Sequence, residues 1–328
     1  MPAVTTHYSF ALDVMKDPGR TYKEACLVGA QGTDPFFFFG RVPWIKREHG
    51  PSVASTGPLV HHMDFTLVYK ALMEYANDSP DKELLYSHIE GLFLHYVLDR
   101  TCHPYVFSLT GNNDGKKEHK VFSVAHIGFE TVLDCLIGHR YNTFTFRPQK
   151  MLKIDEVQLK AISKMWAYAI GKTLKLEGFD DDSYYHAVKD YQRVLRITNT
   201  PHFFSKILVR FMGKISEPYA MHIPARVPKK YRDIDFLNEK REPWPHPAWG
   251  DESTKSFMDL WQDAKDLYEE VLLLLADAKR GVDIEEKLRA FIANIDHDGD
   301  HPGDIKKHFK ICWPELRELI EKDPSLRE

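Results

Sequence analysis

The sequence predicts an all-α fold, and three observations support that prediction. Along most of the 328 residues, apolar residues recur at the three- and four-residue spacing of amphipathic helices. Alternating runs of β-branched residues, which are typical of strands, are almost absent. Helix-start signals precede several of the periodic stretches, among them Ser79-Pro80-Asp81 and Asp304. We therefore expect a bundle of helices.

Nine stretches carry the helical periodicity in chain order. They are residues 10–16, 57–77, 82–108, 117–140, 155–176, 181–215, 253–279, 284–294 and 304–322. The segment 222–252 contains five prolines, which is too many for a helix, and is expected to form one long irregular connection. Its tryptophans, Trp244 and Trp249, indicate that this connection packs over the helical body.

The chain is therefore expected to have three parts in one globule. Residues 1–221 form a helical domain that carries the metal-binding motifs, and residues 222–252 form the Pro-rich connection packed on it. Residues 253–328 supply extra C-terminal helices docked on the same body.

Composition excludes several classes of protein. With 44 Lys and Arg against 48 Asp and Glu, the formal net charge is -4, so no overall basic field exists to hold nucleic acid or an anionic membrane. The first residues lack the charged and apolar regions of a signal peptide, and we expect no transmembrane segment. The four cysteines are widely spaced without a CxxC motif, which is typical of a reducing compartment. We expect a soluble cytoplasmic protein.

Histidine is the informative excess, because nine of the 17 histidines lie in the first 130 residues. The run GLFLHYVLD places Asp99 four residues after His95, and the run HIGFETVLD places Glu130 four residues after His126. This spacing puts both side chains of a pair on one helical face, where they can hold one ion. His103 follows Asp99 by four residues, just before a proline that should disturb the helix.

Upstream candidates lie in loops or at helix starts: His7, Asp34, and either His61 or His62. Imidazole and carboxylate ligands without thiolates are typical of Zn²⁺, Mn²⁺ or Fe²⁺ in an open catalytic site. The simpler interpretation is that each histidine makes an ordinary hydrogen bond at the edge of the core. Two pairs on adjacent apolar helices weigh against it, because buried carboxylates are unfavourable unless they are paired or coordinate a metal.

These motifs, taken in order, resemble a known family. The chain contains Thr6-His7, then GAQGTDPFF, HHMDF, GLFLHYVLDRTCHPY and AHIGFETVLD. This order is similar to that of the zinc-dependent phospholipase C family, which is related to the S1/P1 nucleases and to the amino-terminal domain of glycosylphosphatidylinositol-specific phospholipase D. The resemblance covers residues 5–140 and implies an all-α bundle with metals at the bottom of a cleft.

The resemblance also implies a role for each matching residue. The ligands of one zinc would be Asp34, His61, His95 and Asp99, and those of a second would be His103, His126 and Glu130. A third site would include His7, with Asp99 as the bridge. His61 is favoured over His62 because its offset to Asp64 and Phe65 fits the family better. Asp134 would support His126 or a helix end.

The resulting functional prediction is a phosphoric ester hydrolase of phospholipase C type that uses two or three Zn²⁺ ions, with Mn²⁺ and Fe²⁺ as alternatives. A metal-bound hydroxide would attack the ester, and Asp34 is the catalytic candidate because it could accept the proton of the water. The alternatives are an S1/P1-like nuclease and a metal-stabilised helical protein without turnover. No Ser-His-Asp motif, GxGxxG fingerprint or P-loop supports other chemistry.

The substrate is expected to be a small or lipid-like phosphodiester, without stable binding of nucleic acid. The run Phe36–Phe39 is either an apolar lip for acyl chains or simply core. The nearby Lys116, Lys117 and Lys120 are either a nucleic-acid contact or a solvated face. The tail segment DHDGDHPGD, residues 296–304, fails as an EF-hand because its sixth position is histidine and its twelfth is Lys307. It is expected to form a polar turn between helices.

Overall fold

The computed structural model describes residues 4–15, 20–42, 44–112, 119–199 and 221–322, with the side chains of residues 119 and 120 excluded. The described α-helices are α1 (Val4–Val14), α2 (Lys23–Gly29), α3 (Gly50–Ala54), α4 (Thr56–His61), α5 (Thr66–Asp78), α6 (Lys82–Thr110), α7 (His119–Arg140), α8 (Glu156–Thr173), α9 (Ser183–Thr198), α10 (Phe257–Lys279), α11 (Glu285–Ile292) and α12 (Pro314–Lys322). Short 3₁₀ helices span Asp34–Phe38, Pro148–Leu152 and Lys229–Tyr231. In the described ranges, sheet is limited to the antiparallel pair of β1 (Trp244–Pro245) and β2 (Glu252–Ser253). The all-α prediction is confirmed.

Helix α6 is the axis of the fold. Most of its 29 residues are buried, because it is apolar on every side and helices α1, α2, α5, α7 and α10 all pack against it. One continuous apolar cluster reaches from Phe10 near the start of the chain to Leu316 near its end. In that cluster the rings of Phe10 and of Trp261 in α10 pack edge to face, with the ring centroids 5.0 Å apart. The C-terminal helices therefore share a core with the N-terminal ones, while the three-part division of the chain stays a prediction.

The Pro-rich connection packs on the helices. Trp244 and Phe236 are buried, and the Tyr105 hydroxyl of α6 donates a hydrogen bond to the Phe236 carbonyl at 3.1 Å. The Phe236 ring also lies 4.8 Å from Phe129 of α7. This segment therefore contacts both α6 and α7.

Two predicted helices are wrong in part. The stretch 57–77 is broken between α4 and α5, where the Asp64 side chain accepts the Thr66 N–H and starts a new helix. The stretch 304–322 is helical only from Pro314. Before that it runs alongside the end of α6, where the Lys310 N–H donates to the Ser108 carbonyl at 2.7 Å. This backbone pairing replaces the helix that the apolar spacing predicted.

Other differences concern helix ends and short elements. Helices α2 and α3 were not predicted, since five to seven residues carry too little periodicity to be recognised. Helix α6 continues through Pro104, whereas the sequence predicted a disturbance there. The predicted helix 181–215 is confirmed over Ser183–Thr198, and its remainder from residue 200 lies outside the described residues.

One described helix is long and apolar enough to cross a membrane by length and composition alone. It is the Val121–Arg140 part of α7, with a mean hydropathy of 1.5 in its most apolar window. Of that window, 72% is buried inside the protein, as in the core helix of a folded domain. The same helix carries His126 and Glu130, which turn toward α6.

Candidate metal centre

Helix α6 places three predicted ligands on one face. His95, Asp99 and His103 follow each other at four-residue spacing, and all three are buried. The His95 Nε2 atom lies 2.9 Å from Asp99 Oδ2, and His103 Nε2 lies 3.6 Å from Asp99 Oδ1. Asp99 is therefore the middle of the group, with one carboxylate oxygen toward each histidine.

Helix α7 adds the second pair. His126 Nε2 lies 3.2 Å from Glu130 Oε1, and the same oxygen is 3.5 Å from His103 Nε2 of α6. The two helices thus bring together one group of three side chains, His103, His126 and Glu130, whose ligand atoms all lie within 4.8 Å of one another.

Helix α1 brings His7 into the same space. The His7 Nε2 atom lies 3.1 Å from Asp99 Oδ1. The start of α1 is held by Asp134 of α7, which accepts the Thr5 N–H at 3.1 Å and the Thr6 N–H at 2.7 Å. Asp134 was predicted to support either His126 or a helix end. It supports the helix end, because the free N–H groups at the start of a helix need an acceptor.

Asp34 and His61 complete the cluster from the opposite side. Asp34 begins the 3₁₀ helix after the turn at Gly32, and His61 ends α4. His61 Nε2 lies 3.4 Å from Asp34 Oδ1, which is also 3.9 Å from His95 Nε2. Gly32 makes this approach possible, because its φ is +57° and a Cβ there would lie 2.1 Å from His95 Cδ2.

His61 and its neighbour have different surroundings. The His61 side chain is 3% exposed and belongs to the cluster, whereas the His62 side chain is 54% exposed. His62 Nδ1 faces away from the ligands, toward Asp298 Oδ2 at 3.5 Å. The structure therefore brings His61, and not His62, to the other candidate ligands.

Several central polar atoms make no well-aligned hydrogen bond, although nitrogen and oxygen atoms of neighbouring ligands lie 2.9–3.9 Å away. Buried and unpartnered are both oxygens of Asp34, both ring nitrogens of His95, His61 Nε2, Asp99 Oδ2 and Glu130 Oε2. Leaving such atoms unsatisfied costs about 1–3 kcal/mol each, and more when they are charged. Two atoms bound to one tetrahedral zinc lie about 3.3 Å apart, given bonds of about 2.0–2.1 Å. The separations here, 2.9–3.9 Å, fit cations between these atoms.

Among the described residues, three groups of buried ligands could each hold a metal ion, and the first two share His95. They are His7, His95 and Asp99; Asp34, His61 and His95; and His103, His126 and Glu130. The donor set of nitrogen and oxygen suits divalent transition ions. All eight residues predicted as ligands belong to these groups.

Hydrogen bonds outside the cluster orient two of the imidazoles. His61 Nδ1 lies 2.9 Å from the Gly57 carbonyl, and His103 Nδ1 lies 2.7 Å from the His297 carbonyl. A ring N–H must donate to a carbonyl, so in each neutral ring Nε2 keeps its lone pair for the cluster. Nε2 is thus the nitrogen that each ring presents to the cluster, and a metal ion bound there would displace the Nε2 proton that His103 carries below its raised pKa.

The charges of the cluster are strongly coupled. Burial opposes ionisation, yet the histidines around Asp99 hold the pKa of that carboxyl well below its usual range. Burial lowers the pKa of His95. For His103 burial acts in the same direction, but the Asp99 carboxylate outweighs it and raises the pKa to about 9. The centre therefore carries ionised carboxylates that attract a cation.

A cavity of about 150 Å³ opens onto the cluster. It is lined by Phe37, His61, His62, Phe107, Gly111, Asn112, Phe122, Ser123, His126 and Asp298. Of the run Phe36–Phe39, only Phe37 lines it, while the other three are buried in the core. The connection 222–252 contributes none of these lining residues. Lys116, Lys117 and the side chain of Lys120 lie outside the described residues.

The tail also reaches the site, which its sequence did not predict. The segment 296–304 forms a turn, as predicted, but Asp296, His297 and Asp298 are buried rather than solvated. The His297 ring lies 4.6 Å from that of His61 and 5.7 Å from that of His95. The available signal was composition, since three aspartates and two histidines in six residues are unusual for an exposed turn.

Comparison with known proteins adds no assignment. No family model, no curated protein and no solved structure matches the chain. The resemblance of residues 5–140 to the zinc-dependent phospholipase C family therefore stays a prediction that rests on the motifs themselves.

Proposed function

We propose that this protein is a metal-dependent hydrolase of phosphate esters, acting on a phosphodiester in the manner of a phospholipase C. The observation that carries the proposal is the set of buried, unpartnered ligand atoms at the base of an open cavity. A structural zinc site is closed by four ligands, whereas a catalytic site keeps a position open to substrate. Here His61 and His126 belong to ligand groups and also line the cavity.

Divalent ions bound in these groups would hold the phosphate, lower the pKa of the attacking water and neutralise charge on the leaving oxygen. The ligands for them are the eight residues from His7 to Glu130 described above. Asp99 lies in the middle, with one oxygen toward His7 and the other toward His95.

We assign to Asp34 the role of accepting the proton of the attacking water. Its Oδ1 atom faces the ring nitrogens of His61 and His95, at 3.4 and 3.9 Å. The Oδ2 atom is buried without a partner, so it is free to accept a proton. Burial opposes ionisation, yet the positive charges of His95 and His61 help to lower the pKa of Asp34, so the carboxylate holds no proton of its own before the water is deprotonated.

The cavity favours a substrate with an apolar or compact substituent. Phe37, Phe107 and Phe122 supply aromatic surface, and none of the described residues that line the cavity is Lys or Arg. A polynucleotide site would pair stacking aromatics with cations along the backbone. Lys306, whose Nζ lies 4.9 Å from the Phe107 ring centroid, is 6% exposed and paired with Asp298 and Asp300. The described part of the lining therefore supports a small or lipid-like phosphodiester over nucleic acid.

The test uses the full chain, stripped with a chelator and reloaded separately with Zn²⁺, Mn²⁺ or Fe²⁺. We expect chelator-sensitive hydrolysis of bis-p-nitrophenyl phosphate and p-nitrophenyl phosphorylcholine. Asp34→Asn should lower kcat by at least 100-fold, in the range expected for a lost general base. The exposed Asp181→Asn variant is the matched control and should keep the full rate.

Three other outcomes would overturn the proposal. Activity that resists chelation would point to different chemistry. Faster cleavage of single-stranded DNA, with a steep dependence on salt, would favour the S1/P1-like nuclease. Binding of at least one equivalent of metal with no turnover of either ester or of DNA would favour a metal-stabilised protein without catalysis.

A further inference from the structure

A turn near the C-terminus reaches the candidate metal centre without supplying a ligand to it. It comprises residues 296–300 and is named the acidic turn here. Asp296, His297, Asp298 and Asp300 in this turn are at most 4% exposed. It lies far outside the region whose motifs carry the family resemblance, residues 5–140.

The backbone of one residue in the acidic turn contacts two different ligand groups. The His297 N–H donates to the His61 carbonyl at 3.2 Å. The His297 carbonyl accepts the Nδ1–H of His103 at 2.7 Å. His61 belongs to the group with Asp34, whereas His103 belongs to the group with Glu130. A single peptide segment therefore spans the distance between the two groups.

A buried cation holds the acidic turn in shape. Lys306 is 6% exposed, and its Nζ atom lies 2.8 Å from Asp298 Oδ2 and 3.1 Å from Asp300 Oδ2. Within the turn, the Asp298 N–H donates to Asp296 Oδ1 at 2.8 Å. Such a closed network resists displacement, because each buried charge would otherwise lose its partner.

A glycine seats the acidic turn on α6. Gly299 has a φ of +82°, and a Cβ there would lie 2.4 Å from the Arg100 carbonyl oxygen and 2.5 Å from Pro104 Cγ. Pro104 has no N–H to offer the Arg100 carbonyl, so the helix leaves that oxygen open on its surface. The turn packs at this point, one residue away from His103.

We propose that the acidic turn is the positioning element of the metal group formed by His103, His126 and Glu130. It acts through His103, whose ring it fixes in one tautomer and one orientation by the hydrogen bond to the His297 carbonyl. The inference rests on the proposed function, because it requires that this group bind a metal ion. It adds that the far C-terminal part of the chain sets the affinity of that group.

The test compares two glycine variants in the full chain. Gly299→Ala places a methyl group against α6, whereas Gly303→Ala imposes a similar φ, +91°, with no heavy atom within 4 Å of the new Cβ. Both are titrated with Co²⁺, whose visible absorption bands report the geometry of each bound ion. In Gly299→Ala we expect the binding step assigned to the His103 group to weaken by about 10–100-fold, the usual effect of losing an orienting partner. Gly303→Ala should bind as the unmodified chain does.

A second pair of variants tests the same role if Gly299→Ala does not fold. Lys306→Met removes the cation from the acidic turn and should weaken the same binding step. Lys306→Arg keeps the charge and should bind as the unmodified chain does. His126→Ala identifies that step, because it removes a ligand of the same group.

The outcomes separate this inference from the proposed function. If the unmodified chain binds no Co²⁺, the proposed metal centre itself is refuted, and the positioning role fails with it. If it binds Co²⁺ but Gly299→Ala and Lys306→Met leave every step and absorption band unchanged, only the role of the acidic turn is overturned.

Discussion

Replacing Asp99 by asparagine should remove most of the stabilisation that metal ions give this protein. The Asp99 carboxylate faces the Nε2 atoms of His7, His95 and His103 at 3.1, 2.9 and 3.6 Å. The substitution keeps the shape of the side chain and removes the charge from the middle of the ligand cluster. We therefore expect the substitution to weaken the binding of every metal ion that Asp99 would contact.

The size of the effect follows from mass action. An ion at a free concentration of 100 times its Kd stabilises the folded state by about 2.7 kcal/mol. If the substitution weakens binding 100-fold, the same free concentration equals the new Kd and contributes only about 0.4 kcal/mol. For two ions, the increment in unfolding free energy should fall from about 5.4 to about 0.8 kcal/mol.

The assay is urea denaturation of the chelated and zinc-loaded protein at a fixed, buffered concentration of free Zn²⁺. Asp181→Asn makes the same chemical change at an exposed position and should keep the whole increment. An Asp99→Asn variant that gains as much from zinc as the unmodified chain would refute the central role of this carboxylate. A zinc increment of zero in the unmodified chain would refute the metal centre.

Two further predictions concern groups outside the ligand set. Asp134→Ala leaves two buried N–H groups at the start of α1 without an acceptor, which at about 1–3 kcal/mol each should lower the unfolding free energy by about 2–6 kcal/mol. It should also weaken metal binding through His7, and an unchanged zinc affinity would contradict that part. His88 accepts the Trp166 indole N–H at 3.1 Å, and burial lowers its pKa to about 3. Because the unfolded chain takes up a proton near pH 6.5 and the folded chain does not, stability contributed by neutral His88 is present above pH 6.5 and declines below it, by about 2 kcal/mol at pH 5. Between pH 6 and 4, His88→Gln should reduce the slope of unfolding free energy by about 1.4 kcal/mol per pH unit, and equal slopes in both proteins would contradict the assignment.

Local periodicity was enough to predict the parts of the site that lie within single helices. The pairs His95 with Asp99 and His126 with Glu130 were recognised because four residues make about one helical turn, so the sequence alone places each pair on one face. The same logic predicted the all-α fold and most of the long helices. It failed at Pro104, because packing from all sides maintains a helix that local propensity would interrupt.

Tertiary structure decided everything that depends on contacts between distant segments. Nothing in the spacing of His7, Asp34 and His61 indicates by itself that they meet at Asp99 and His95, and only their motif resemblance predicted it. The structure separates His61 from His62 because α4 ends there and points one ring inward. His297 was missed because its backbone, rather than a motif of side chains, joins the tail to His61 and His103. The sequence gives the chemical groups of each residue, whereas the packing of the helices determines which groups from distant segments come into contact.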